Sequence, residues 1–151
     1  MDEQRRKVVF GGSSLLLAGG LLETASAATP PWDGATFETH SLEDAVRTLG
    51  GSTPVESNDV LLTGPDLAEN GAVVPFTIES RIPGTSRMAI LVEKNPWIVA
   101  ITFGIPPGTE AWVSTRVKMN ETSKVIALAG TGDGRWYSTA RPVKVTRGGC
   151  S

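Results

Sequence analysis

The residue whose chemistry stands out is Cys150, the only cysteine in the chain and one position from its end. Gly148 and Gly149 precede it, and Ser151 follows it. The thiolate of a cysteine is a nucleophile and a site of covalent attachment. Chain ends are solvated unless the fold ties them down, so a hydrophobic core has no need of a thiol at this position. The pattern therefore predicts an exposed thiol that serves as a tethered attachment point.

Residues 147–151 are predicted to form a flexible C-terminal arm. An extended segment from Arg147 to Cys150 reaches ~13–14 Å, at ~3.3–3.6 Å per residue. Gly148 and Gly149 add torsional freedom and keep the segment narrow. This geometry suits an arm that enters a cleft of another protein, whereas an enzyme's own nucleophile needs a base and fixed hydrogen-bond donors around it.

The other residue types restrict the chemistry further. His40 is the only histidine, and one histidine with one cysteine cannot supply the three or four ligands of a zinc site. The acidic residues form no calcium-binding loop, and a net charge of −2 without an arginine-rich block disfavours nucleic-acid binding. We therefore predict no catalytic residue, no metal and no cofactor in this chain. His40 precedes a predicted helix and is interpreted as a capping or surface residue.

Three further patterns are interpreted as structural. Residues 130–134 read GTGDG and resemble a phosphate-binding loop, but a strand rather than a helix follows, so a hairpin turn at Asp133-Gly134 is favoured. Asn70-Gly71 is likewise a hairpin-turn signal. Three tryptophans fall in or beside predicted strands, where a place in the core or at an interface is favoured over a ligand platform. They are Trp97, Trp112 and Trp136.

Residues 1–27 have the order of a secretory signal peptide. Arg5 and Arg6 lie in a basic start, an apolar run follows from residue 8 to 22, and residues 25–27 (ASA) form a small-residue cleavage site. The run is shorter than the ~20 residues of a membrane-spanning helix, and the paired arginines favour the twin-arginine route. We expect export to the periplasm and no membrane attachment after cleavage. An uncleaved N-terminal anchor is the alternative.

Residues 28–146 are predicted to form one sandwich domain. Residues 28–39, which include Trp32, form an irregular lead-in, and Ser41 caps a short helix that Gly50-Gly51 ends. From residue 55 onward, short apolar runs alternate with turn signals and no helix lies between them. This pattern is typical of an all-β, immunoglobulin-like antiparallel β-sandwich of about seven strands. The predicted strands are residues 60–67 (broken by Gly64-Pro65), 74–78, 88–94, 97–103, 110–120, 123–129 and 136–146.

Four segments, in this order, resemble the SoxY family of sulfur-carrier subunits from the bacterial thiosulfate-oxidising system. They are residues 70–75 (NGAVVP), residues 95–96 (NP) before an apolar strand, residues 113–119 (VSTRVKM) and residues 143–150 (VKVTRGGC). The resemblance rests on three features taken together: the order of the segments, the leader and the terminal Gly-Gly-Cys. It covers most of the exported chain, from the helix at Ser41 to the end.

The resemblance implies that Cys150 holds the sulfur substrate covalently and that Gly148 and Gly149 form the carrier arm. It implies a heterodimer with SoxZ, a second sandwich subunit, which would cover an exposed apolar patch. A c-type cytochrome would load thiosulfate onto Cys150 as a cysteine S-thiosulfonate. A manganese hydrolase would then release sulfate, and a sulfane dehydrogenase would oxidise the remaining sulfur. The haem, manganese and molybdenum would all belong to these partners, so this chain would be a non-catalytic carrier.

The tail departs from the family pattern at one point. Two glycines usually follow the family's cysteine, whereas only Ser151 follows here. The arm keeps its reach to Cys150, and the resemblance leaves its docking depth and partner compatibility open.

Two other classes of function remain open on the residues alone. One is an exported β-sandwich binding module whose exposed thiol forms an intermolecular disulfide. The other is a thiol-dependent enzyme, which is disfavoured because His40 lies at the far end of the chain from Cys150.

Overall fold

The computed structural model describes residues 34–146, which form two short helices and nine strands. In chain order these are α1 (Gly34–Phe37), α2 (Leu42–Thr48), β1 (Val55–Glu56), β2 (Val60–Thr63), β3 (Leu67–Ala68), β4 (Val74–Ser80), β5 (Thr85–Val92), β6 (Val99–Gly104), β7 (Trp112–Val117), β8 (Ser123–Thr131) and β9 (Trp136–Val145).

The strands form two sheets that pack face to face. The larger sheet has the order β1-β9-β8-β5-β6, with β3 also paired to β9, and the smaller sheet has the order β2-β4-β7. All pairs are antiparallel except that β1 and β3 each lie parallel to β9. This architecture confirms the predicted all-β sandwich with a short N-terminal helix. Within residues 34–146, neither helix has the length and apolar character needed to cross a bilayer.

The central strands of the larger sheet are buried on both faces. In β5, Met88 and Ile90 belong to the core between the two sheets, whereas Ala89 and Leu91 belong to a second cluster on the opposite face. All four side chains are 0% exposed. Successive side chains of a strand point to opposite faces, so a continuous apolar run is needed where both faces are covered. β8 follows the same pattern.

Helix α2 covers the outer face of the larger sheet. Its Ala45 and Val46 are buried in the cluster that also contains Trp136. The Ser41 side chain accepts a hydrogen bond from the backbone N–H of Asp44 at 3.1 Å, which confirms the predicted N-cap. The helix ends at Thr48, close to the predicted stop at Gly50. A short helix therefore closes one side of the sandwich as a third layer.

Two boundary predictions were wrong. The predicted strand 60–67, with its break at Gly64-Pro65, is two separate strands, β2 and β3, which belong to different sheets. Gly64-Pro65 lies between them, and a proline cannot donate to a ladder hydrogen bond, so the chain changes sheet there. Residues 34–37, which were predicted as irregular lead-in, form helix α1.

The two predicted hairpin turns had opposite outcomes. Asp133-Gly134 joins the antiparallel pair β8 and β9, and Gly134 has a φ of 83°, which confirms that prediction. Asn70-Gly71 joins β3 and β4, which lie in different sheets, so the hairpin predicted there was wrong. The Asn70 side chain instead accepts a hydrogen bond from the N–H of Ala72 at 2.9 Å, a local turn that needs no paired strands.

The β8–β9 turn also carries an ion pair. The Arg135 guanidinium and the Thr131 hydroxyl donate to the Asp133 carboxylate, and together they hold the pKa of that carboxyl well below its usual range. A carboxyl whose pKa is lowered by folding stabilises the fold at neutral pH and loses that contribution as the pH falls through the acid range.

The tryptophans divide into core and surface positions. Trp136 is 3% exposed and lies in the core, whereas Trp97 and Trp112 are 58% and 51% exposed. Trp32 lies outside the described residues. His40 is exposed, and its Nδ1 lies 2.7 Å from the carbonyl oxygen of Pro96, so its interpretation as a surface residue is confirmed.

Candidate functional site

The predicted site residues lie just past the last strand. Cys150, Gly148 and Gly149 are outside the described residues, so their roles stay predictions. The structure does describe residues 143–146, which we call the arm root. The position and rigidity of the arm root decide where the residues that follow can reach.

Strand β3 holds one side of the arm root. Leu67 and Ala68 pair in parallel with Lys144 and Val145. Next to this pairing, the N–H of Lys144 donates to the carbonyl of Asp66 at 2.9 Å, and the N–H of Thr146 donates to that of Ala68 at 3.0 Å. The backbone ladder of β9 is therefore satisfied up to its final described residue.

Thr122 holds the other side of the arm root. Its hydroxyl oxygen accepts from the N–H of Val145 at 3.0 Å and lies 3.5 Å from the carbonyl of the same residue. The backbone pairing of β9 with β8 ends at Val143, which pairs with Ser123. The Thr122 side chain thus takes the place of a backbone partner beyond the end of β8.

Gly71 closes the interior side of the arm root. A Cβ atom on this residue would lie 2.4 Å from the carbonyl oxygen of Met119 and 2.9 Å from Cγ1 of Val145. The N–H of Met119 also donates to the carbonyl of Gly71 at 2.7 Å. Gly71 was predicted as half of a hairpin turn. A glycine is needed at this position for a different reason, because the backbone of Met119 and the arm root pack directly against it.

The substitution Gly71→Ala is expected to destabilise the domain by roughly 1–3 kcal/mol, because the backbone must move to accommodate the added methyl group. Urea denaturation monitored by circular dichroism measures the loss. Gly132→Ala is the matched control, since a Cβ there meets no atom within 4 Å. Equal stability of the two variants would contradict the close packing around the arm root.

Charged and apolar groups lie together on the surface beside the arm root. Arg141 of β9 forms an ion pair with Asp66, the residue before β3. A depression of about 520 Å³ is lined by Asp66, Leu67, Pro142 and Lys144, and Leu67 is 51% exposed there. Among residues 34–146, no three His, Cys, Asp or Glu side chains gather in a way that could hold a metal ion. These residues therefore form a surface of charged and apolar side chains beside the end of β9.

Sequence reasoning missed the two elements that hold the arm root. The break at Gly64-Pro65 was part of the sequence prediction, but residues 66–68 were kept in the same strand rather than predicted as a separate one. Thr122 carries no comparable signal, because a hydroxyl that substitutes for a backbone partner depends on where two distant segments meet.

Fold and chain order together define an all-β sandwich whose last strand leads directly into a tail with a single cysteine. The family model of the sulfur oxidation protein SoxY matches residues 45–150, and the chain belongs to the SoxY family. The resemblance inferred from the sequence is therefore confirmed.

Solved structures agree with this assignment. The sulfur carrier protein SoxY from Chlorobium limicola f thiosulfatophilum is 35% identical, with a TM-score of 0.62, and the match covers 70% of this chain and 96% of that one. A superoxide reductase (neelaredoxin) from Ignicoccus hospitalis is 11% identical, with a TM-score of 0.52, over 59% of this chain and 81% of that one. The second likeness concerns the fold alone. A comparison with curated protein sequences gave no match.

Proposed function

We propose that this chain is a periplasmic sulfur-compound carrier that holds thiosulfate-derived sulfur covalently on Cys150. Membership of the SoxY family supports this proposal, as does the match to a structure described as a sulfur carrier protein. The observation that carries it is the match of the family model through residue 150, which includes the only cysteine of the chain. The chain itself has a carrying rather than a catalytic role.

The loading step joins two sulfur atoms. The Cys150 thiol and thiosulfate would form a cysteine S-thiosulfonate, with release of one proton and two electrons. A c-type cytochrome partner would take up the two electrons as two one-electron haem reductions. Hydrolysis at the sulfonate sulfur, for which a manganese hydrolase would supply the activated water, would release sulfate and two protons and leave a persulfide anion on Cys150. A sulfane dehydrogenase oxidises that remaining sulfur. The cysteine must be the thiolate at the moment of attack.

The arm root supplies the fixed point from which Cys150 is presented. Thr146 is held by Ala68, and Val145 is held by Thr122. Cys150 lies four positions past Thr146, and four extended residue steps span up to ~13–14 Å. Rigid anchoring with a short flexible arm, in which Gly148 and Gly149 supply the torsional freedom, allows one thiol to enter several partner clefts in turn.

Partners and compartment complete the proposal. The carrier pairs with a SoxZ-like sandwich subunit as a heterodimer, and residues 1–27 direct the chain to the periplasm through the twin-arginine route. Family membership supports the pairing. The periplasm is where an exposed thiol escapes the reducing conditions of the cytoplasm.

Mass spectrometry of the exported protein from thiosulfate-grown cells tests the function. We expect mass additions of sulfur and of thiosulfonate groups confined to the peptide that contains Cys150. A disulfide-linked dimer as the sole modification would contradict the carrier and favour a binding module that forms an intermolecular disulfide.

Replacement of Gly148-Gly149 by Pro-Pro is expected to slow loading of Cys150 on the order of tenfold to a hundredfold, because a stiffened arm misplaces the thiol in the partner's cleft. Loading is followed by mass spectrometry in a reconstituted system with the cytochrome partner. Replacement by Ala-Ala is the matched control and should have a smaller effect, since alanine retains most backbone freedom. Unaltered rates in the proline variant would argue against a flexible arm.

A further inference from the structure

The edges of the two sheets differ in how they are protected against pairing with another chain. An edge strand exposes unpaired N–H and C=O groups, and proteins protect it with short length, charged residues, proline or a bulge. On one side of the larger sheet, β1 and β3 are each two residues long. In the smaller sheet, β2 has four residues and is followed by Gly64-Pro65.

Strand β6, the opposite edge of the larger sheet, lacks most of these protections. Its six residues, VAITFG, include no charged side chain and no proline. Within residues 34–146 its only strand partner is β5. Ala100, Ile101, Thr102 and Phe103 are half-buried, so four consecutive residues on an edge are partly open to solvent.

Free hydrogen-bonding groups can be assigned along β6. The N–H of Ile105, just past the strand, donates to the carbonyl of Ser86 at 2.8 Å and so points toward β5. Backbone groups alternate in direction along an antiparallel strand. The N–H groups of Thr102 and Gly104 therefore point away from β5, toward the open edge.

A groove runs along the same edge, between β6 and the end of β7. It has a volume of about 330 Å³, and its walls come from β6, from the end of β7 and from helix α1. The lining residues are Phe37, Asn95, Trp97, Val99, Ala100, Ile101, Arg116, Val117 and Lys118. Asn95 holds the backbone of Lys118 in place beside the groove, because its side-chain amide donates to the carbonyl of Lys118 at 2.8 Å.

The groove combines apolar side chains with a positively charged wall. Arg116 and Lys118 are exposed, and neither forms an ion pair with another residue in the described range 34–146. No lining residue is a carboxylate. The complementary ligand is therefore an extended chain that carries apolar and acidic side chains.

We propose that the free edge of β6 accepts a strand from a second protein subunit, and that carboxylates on this strand pair with Arg116 and Lys118. The added strand extends the larger sheet, and the exposed ring of Trp97 packs against it. A second copy of this chain fits less well, because its own β6 would bring no carboxylate to the two cations. This inference rests on the proposed function, in which the chain works as one subunit of a pair.

Hydrogen exchange measured by NMR on the chain, alone and with the SoxZ subunit of the same organism, tests the surface. We expect protection of the Thr102 and Gly104 amides to rise at least tenfold on complex formation. Arg116→Glu and Lys118→Glu should each weaken the complex by tenfold or more in titration calorimetry, with thermal stability of the free chain unchanged. Lys124→Glu, an exposed cation on β8, is the matched control and should bind as the parent does.

The outcomes separate this surface from the proposed function. A complex that forms without protection at Thr102 and Gly104, or that tolerates both charge reversals, overturns the β6 site and leaves the pairing intact. Protection that rises with concentration in the chain alone overturns the choice of occupant, because β6 would then pair with a second copy. Absence of any complex overturns the pairing and this surface together, while sulfur adducts on Cys150 would still support the carrier.

Discussion

Cys150→Ser is expected to reduce thiosulfate-dependent turnover in a reconstituted system to the level measured without the chain. A serine hydroxyl cannot form the sulfur–sulfur bond to thiosulfate, and it ionises far less readily than a thiol. Cys150 lies five positions past Val145, the last residue of β9, so we expect no change in thermal stability. Electron transfer to the cytochrome and the melting temperature are the two measurements.

Ser151→Ala is the control for this experiment, because it changes the neighbouring residue and keeps the thiol. It should retain turnover close to that of the parent chain. A large loss of thermal stability in Cys150→Ser would mean that the cysteine is structural. Retained turnover in the same variant would remove Cys150 from the proposed chemistry altogether.

Trp136→Ala is expected to destabilise the domain by about 3–5 kcal/mol, which is the range for large aromatic side chains removed from a core. Trp136 is 3% exposed and lies opposite Gly130 in the β8–β9 pair. Its indole fills the space above Gly51 and Gly130, where a Cβ atom would overlap the ring. Its removal leaves a cavity between the larger sheet and the outer helical layer, and urea denaturation measures the loss.

Trp112→Ala supplies the matched control, since the same side chain is 51% exposed at that position. A surface substitution of this kind is expected to change stability by about 0.5 kcal/mol or less. Similar losses in the two variants would contradict the placement of Trp136 in the core. Loss of the α2 helical signal in Trp136→Ala alone would support the three-layer arrangement.

Features set by neighbouring residues could be predicted from the sequence. The Ser41 cap and the hairpin at Asp133-Gly134 both formed where their local patterns placed them. Their hydrogen bonds join residues three or four positions apart, so the sequence contains all the partners. The short apolar runs between turn signals predicted the strands and the sandwich for the same reason, because each run and its flanking turns are contiguous in the sequence.

Features set by distant neighbours could not be predicted in this way. Asn70-Gly71 has the composition of a hairpin turn, but the flanking segments pair with different sheets. The parallel pairing of β3 with β9 joins residues 67 and 144, and no local pattern contains both. Trp97, Trp112 and Trp136 look alike in sequence, and only the packing of distant strands leaves two exposed and buries the third.

The sequence by itself determined that the chain has one thiol, that this thiol follows two glycines and that an apolar, turn-rich domain precedes it. It also carried the resemblance that the family match confirmed. Only the tertiary structure decided that the chain is held as far as Thr146, where the proposed arm begins. Val145 bonds to Thr122, and Thr146 bonds to Ala68. The physical reason is the sequence separation of the groups involved. The position of the thiol near the chain end is a property of the sequence alone, whereas the strand before it is held by hydrogen bonds to segments far away in the chain.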